Sequence, residues 1–153
     1  MKFTSKLFCA MIGLTIFSAT ATQAQAQTVT NVVIKNQLQS PILLVPSSVN
    51  ILGTATPGVP LSILANNTNI NPTFTVRSPF TNIASIHFSY SAGTRQCRFS
   101  TSLTTTPTIF GSLIPSWTKS GTSTGSTFAN CEAKITVANP NTPFNYTVEF
   151  TMR

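Results

Sequence analysis

The chain of 153 residues contains no aspartate. Its carboxylate side chains are Glu132 and Glu149, and its one histidine is His87. Enzymes that hydrolyse, transfer phosphate or hold metals draw mainly on Asp, Glu and His, because these groups ionise or coordinate near neutral pH. So small an inventory argues against most enzymes. No catalytic residue, metal ligand or cofactor is expected. A serine triad lacks its acid, and no G-x-S-x-G elbow occurs. His87 falls on the polar face of its segment, where a solvated surface histidine is the simpler reading.

Long apolar runs are equally scarce. The longest, Leu7 to Phe17, has eleven residues, follows the basic Lys2 and Lys6, and precedes two small-x-small sites at Ala19–Ala21 and Ala24–Ala26. That pattern predicts a secretory signal peptide over 1–26, with cleavage after Ala26, and is too short for a spanning helix. No later segment approaches about 18 apolar residues, so the mature chain is not expected to be an integral helical membrane protein. Residues 27–153 then form a single domain, long enough to bury a core. Without Lys2 and Lys6 seven basic residues stand against two acids, a net charge of +5. They are scattered along the chain rather than gathered on one segment, which argues against a nucleic-acid partner.

Cysteine is scarce too. Cys9 lies in the signal core, too early for a lipoprotein cleavage site, which leaves Cys97 and Cys131. An even count in an exported chain predicts a Cys97–Cys131 disulfide. Two cysteines and one histidine cannot supply four zinc ligands at a familiar spacing.

What the sequence does have is Thr, Ser, Asn, Val, Ile and Phe, punctuated by ten prolines and seven glycines. These residues favour pleated strands and the turns between them. Strands are expected at Thr28–Lys35, Ile42–Val45, Val49–Leu52, Leu61–Ala65 and Thr73–Arg77, with a polar loop over Asn66–Pro72. Alternation is clearest later. Ala84, Ile86, Phe88 and Tyr90 share one face, opposite Ser85, His87 and Ser89. A turn over Ser91–Thr94 leads into Arg95–Thr101, with Cys97 and Phe99 on one face. Gly121–Thr127 reads as a flexible loop. Cys131, Ala133, Ile135 and Val137 point inward in the next strand, and Phe144, Tyr146, Val148, Phe150 and Met152 in the last. The fold class is therefore all-β, a single antiparallel sandwich or small barrel of short strands with one disulfide.

Two features could carry chemistry. Glu132 and Glu149 lie on outward faces of the last two strands, and a carboxylate pair at a suitable spacing is the glycosidase arrangement. One hairpin register sets these like charges opposite each other; the other sets Lys134 opposite Glu149 and is preferred. Trp117, beside the Gly/Ser/Thr loop, could contact a sugar, a lipid headgroup or a protein, or simply close one end of the sandwich. Asn66-Asn67-Thr68 and Asn145-Tyr146-Thr147 match the glycosylation pattern.

Thr28 to Val45 (TVTNVVIKNQLQSPILLV) loosely resembles the opening strand pair of aegerolysin-type membrane-binding β-sandwiches, over 18 residues and without a diagnostic motif. The size, signal peptide, single disulfide and alternating last strand also resemble fimbrial subunits. Those carry their first cysteine near the mature N-terminus, whereas Cys97 lies 70 residues beyond Gln27. No residue role carries over from either.

The expectation is a secreted or periplasmic, non-enzymatic β-sandwich acting by surface contact, as an envelope-associated or extracellular binding or structural protein of adhesin- or pilin-like type. Its partner would be a protein, glycan or lipid surface. The alternatives are a membrane-binding toxin or lysin-like β-sandwich, and a small glycoside hydrolase using Glu132 and Glu149.

Overall fold

The computed structural model describes residues 27–66 and 71–153. The expected signal peptide and most of Asn66-Asn67-Thr68 lie outside them. In chain order the strands are β1 (Val29–Asn36), β2 (Ile42–Leu44), β3 (Asn50–Ile51), β4 (Thr54–Thr56), β5 (Ser62–Ile63), β6 (Thr73–Arg77), β7 (Ala84–Ala92), β8 (Arg95–Pro107), β9 (Leu113–Ser123), β10 (Cys131–Ala138) and β11 (Tyr146–Met152). A short 3-10 turn, Pro46–Ser48, separates β2 from β3. Sheet A has the order β10-β11-β1-β6-β4, and sheet B the order β5-β2-β7-β8-β9 with β3 also on β7. The all-β sandwich class read from the sequence is the observed one.

Alternating residues make the core. Val32, Ile34, Phe74, Val76, Tyr146, Val148, Phe150 and Met152 face inward from sheet A; Ile86, Phe88, Tyr90, Cys97, Phe99 and Leu103 face inward from sheet B. Phe88 lies at the centre, with ring centroids 6.0 Å from Phe74, 5.7 Å from Tyr90, 5.9 Å from Phe99 and 5.3 Å from Phe150. Phe74 and Phe150 belong to sheet A, so these two edge-on contacts join the layers, each adding about 0.5–1.5 kcal/mol beyond area burial.

The last strand is interior, as its four buried apolar residues, Tyr146, Val148, Phe150 and Met152, require; Phe144, expected within it, is buried just before it at a φ of 59°. The strand lies between β10 and β1. With β1 it pairs in parallel, Val32 opposite Val148 and Ile34 opposite Phe150, so the first and last strands close the sheet although nearly the whole domain separates them. With β10 it pairs antiparallel in the preferred register, Lys134 opposite Glu149 and Glu132 opposite Thr151. The register shifts between Ile135 and Val137. The extra residue turns Val137 outward, where it is 62% exposed, contrary to the expected inward position.

Cys97 and Cys131 form a disulfide with Cα atoms 5.7 Å apart, linking β8 of sheet B to β10 of sheet A. Beside it Gly121 permits the close approach of β9: a Cβ there would sit 2.5 Å from the Cys131 carbonyl oxygen. Gly121 to Ser123 therefore belong to a strand rather than to the expected flexible loop. β9 escapes a periodicity reading because it is an edge strand with small and hydroxyl side chains on both faces.

Two predictions follow from the core. Replacing Cys97 and Cys131 together by Ser should lower unfolding free energy by roughly 2–5 kcal/mol in denaturant titration; an unchanged midpoint would count against a cross-link between the sheets. The second concerns Tyr90 and Tyr146, the chain's two tyrosines. Burial raises both phenol pKa values above the usual 10.0. For a group whose folded-state pKa is raised, the stabilising contribution is complete below the unfolded value and is lost as pH rises above it. Stability should thus hold up to about pH 10 and fall beyond. Phenolate absorbance should appear only together with loss of circular dichroism; phenolate forming in an intact fold near pH 10 would contradict the burial.

Candidate functional site

Of eleven large apolar side chains left exposed among the described residues, seven gather at one end of the sandwich: Phe80, Ile83, Ile109, Phe110, Leu113, Ile114 and Val137. This pole is where β1 and β11 begin and where β6, β8 and β10 end. Its loops are tied together at Thr28. The Thr28 amide donates to Phe80 O at 3.2 Å, and its hydroxyl lies 2.7 Å from Thr81 O and 2.6 Å from Pro143 O.

The β8–β9 hairpin projects beyond the rest of the pole. Pairing of β8 with β7 stops at Ala84 opposite Leu103, whereas pairing with β9 continues to Pro107 opposite Leu113. Four residues of each strand therefore extend past the sheet, about 13 Å at ~3.3 Å per residue. The turn above them satisfies much of its own backbone. Thr108 N donates to Ser112 O at 2.8 Å and Gly111 N to Thr108 O at 3.0 Å, and Ser112 N donates to Thr108 Oγ1 at 3.1 Å. Ile109 and Phe110 occupy the tip, 93% and 88% exposed. From Phe99 to Thr118 no residue is charged, nor is any from Ser78 to Ile83 or from Ile135 to Val148. Arg77, at the end of β6, is the nearby cation.

Trp117 lies at the base of this hairpin, on β9 opposite Leu103. It packs half-buried against the core cluster, and its Nε1 is buried without a hydrogen-bond partner. The ring therefore contributes to the wall of the sandwich next to the projecting ribbon. Ile109 and Phe110 went unmarked in the sequence reading. The signal available was an apolar pair flanked by Thr-Pro-Thr and Gly-Ser turn residues, with no polar alternate to place it in a core.

Glu132 and Glu149 lie on the outer face of sheet A, and Trp117 belongs to sheet B. Glu149 accepts from Lys35 Nζ at 2.7 Å, and Glu132 pairs with Arg153. Lys35 escapes a hairpin argument because β1 reaches Glu149 through the parallel pairing. His87 is exposed on the outer face of sheet B, opposite Asn50 on one side and Ser100 on the other. Among the described residues no group of three or more His, Cys, Asp or Glu is placed to hold a metal ion, and no helix is long and apolar enough to cross a membrane.

Because both ion pairs reach the surface, the double substitution E132Q/E149Q should destabilise by less than about 2 kcal/mol, the sum expected for two exposed pairs. A larger loss in thermal unfolding would show that one pair organises sheet A. No protein-family model matches the chain, and no curated protein matches it.

Proposed function

We propose that this chain is a secreted or periplasmic, non-enzymatic β-sandwich that works by surface contact, and that its β8–β9 tip enters a lipid interface. The observation that carries this reading is the uncharged ribbon ending in Ile109 and Phe110, which projects from the pole that holds seven of the eleven exposed large apolar side chains among the described residues. Monomeric surfaces rarely gather apolar side chains in this way without a contact to make. Full burial of the two tip residues is worth roughly 3–6 kcal/mol, or about a hundredfold to ten-thousandfold in partition. A backbone entering lipid must satisfy its own N–H and C=O groups, and the turn over Thr108–Ser112 meets much of that demand internally. Removing a charge from water would oppose entry, and the hairpin carries none beyond Phe99 until Lys119.

Export is supported by the N-terminal pattern of residues 1–26 and by the disulfide, which suits an oxidising compartment. The non-enzymatic reading is supported by the engagement of each glutamate with a cation of its own. A pilin-like subunit would add strands at a sheet edge. Here β9 carries Pro115 and Lys119, β10 carries Glu132, Lys134 and the bulge, and β4 and β5 are three and two residues long. Such edges resist strand addition.

The test is co-sedimentation of the mature protein with vesicles of phosphatidylcholine and phosphatidylglycerol, with Trp117 emission as a second readout. Wild-type protein should bind and I109D/F110D should stay in the supernatant with unchanged thermal stability. Wild-type protein that ignores every vesicle, or a double variant that binds equally well, would overturn the lipid contact. Dye leakage separates a lysin-like protein, which releases the contents, from a protein that only attaches.

A further inference from the structure

We infer that the outer face of sheet B carries a second, independent site, a shallow receptor for an acidic sugar unit in which Arg98 holds the oxyanion and the Pro46–Asn50 ledge holds sugar hydroxyls. It does not depend on the apolar pole.

The ledge comes from the 3-10 turn that interrupts the pairing of β2 and β3 along the edge of β7. Val45 N donates to Ser89 O at 2.9 Å. Ser89 N donates to Ser48 Oγ at 2.7 Å, and that hydroxyl donates to Val45 O at 2.6 Å. These bonds pin the 3-10 turn against the edge of β7. They explain why Ser89, on the polar face, is only 1% exposed. The ledge forms one wall of a concavity of about 350 Å³; its lining includes Ser47, Ser48, Asn50, His87, Ser89 and Arg98.

The chemistry of that lining is selective. Hydroxyls and an amide can donate and accept, as sugar hydroxyls require, and Arg98 supplies a fixed cation with a planar donor fork suited to carboxylate or sulfate. No carboxylate lines the concavity. The chain's two glutamates stand on sheet A, in ion pairs with Lys35 and Arg153, so nothing acidic on sheet B competes for Arg98. The volume lies at the lower end of the range for small-ligand sites, ample for one monosaccharide and excessive for a bare ion. Beyond Arg98 the outer face continues as hydroxyls: Ser100 stands opposite Ser120, and Thr122 opposite Arg98. A longer glycan would lie along them. Among the lining residues Phe88 carries the one benzene-type ring, and it is fully buried. No stacking platform is offered, so recognition rests on hydrogen bonds and charge.

The experiment is amide chemical-shift mapping on the full mature protein with a hexuronic acid oligosaccharide, a sulfated glycosaminoglycan fragment, inorganic sulfate and neutral dextran. The expected result is saturable shifts at residues 47–50, 87–89 and 98 with an acidic saccharide, and none with dextran. Uronate and sulfated ligands tell which oxyanion is preferred. R98Q should weaken binding about tenfold or more, and R98K by less, with thermal stability unchanged. I109D/F110D should bind the saccharide as well as wild type, which separates this site from the lipid-contacting tip. The inference fails if dextran gives the same shifts or if inorganic sulfate binds as tightly as the saccharides. It also fails if R98Q retains wild-type affinity or no saccharide perturbs these amides.

Discussion

Contact between aromatic rings across the two sheets is the constraint on which the other features depend. Phe88 projects from the centre of sheet B and meets Phe74 and Phe150 of sheet A. These rings belong to β6, β7 and β11, which are remote in sequence. Fixing them fixes the strand register, because a slip by one residue would turn each inward ring to solvent. Everything outside the core follows from that register. Glu149 lies outward beside Lys35 because Val148 and Phe150 point inward on either side of it. The concavity on sheet B exists because His87 and Ser89 alternate with Ile86, Phe88 and Tyr90.

The sandwich is also asymmetric. The disulfide and Gly121 draw β8, β9 and β10 together and close one side. On the other side short strands, β4 and β5, end the sheets. A closed, cross-linked side gives the long β8–β9 pair a firm base. A two-stranded ribbon is marginal in water on its own. Here its lower part is the edge of a packed sheet, with Leu103 and Trp117 against the core, so the free upper part is held out from the body without packing on it. The apolar tip is therefore presented by a rigid scaffold.

Legibility in the sequence followed burial. Strands with one buried face, β7 and β11 above all, were readable because alternation records a packed neighbour. The disulfide was readable from parity and from the inward phase of both cysteines, and the β10–β11 register from charge. Three features were not. The parallel union of β1 with β11 is non-local and leaves no spacing signature. β9 and the outer half of β8 pack against little, so Thr, Ser and Gly serve on either face and no period survives. The bulge at Thr136 shifts Val137 by one position, which side-chain pattern alone cannot register. For the candidate surfaces, Trp117 lies at the base of the hairpin whose tip carries Ile109 and Phe110. His87 was read correctly as solvated, yet its neighbours Asn50 and Arg98 come from segments 37 and 11 residues away in the chain, and only the fold brings them together.

Scarcity of charge links both proposed surfaces. With two glutamates in the chain, each engaged on sheet A, sheet B is left with cations and hydroxyls, and the pole with neither sign beyond Arg77. An interior must be apolar and an exterior soluble, but this exterior meets the second need with Ser, Thr and Asn rather than with Lys and Glu. Hydroxyl-rich faces impose little long-range field. Contacts on such a molecule are decided at short range, by shape, apolar burial and hydrogen bonds, and should depend less on salt than those of a highly charged binder. The two surfaces then differ in kind. At the pole, affinity should grow with the apolar area that the tip buries and change little with ionic strength. At the concavity the single Arg98 charge gives salt a modest hold, and the hydroxyl neighbours carry the rest.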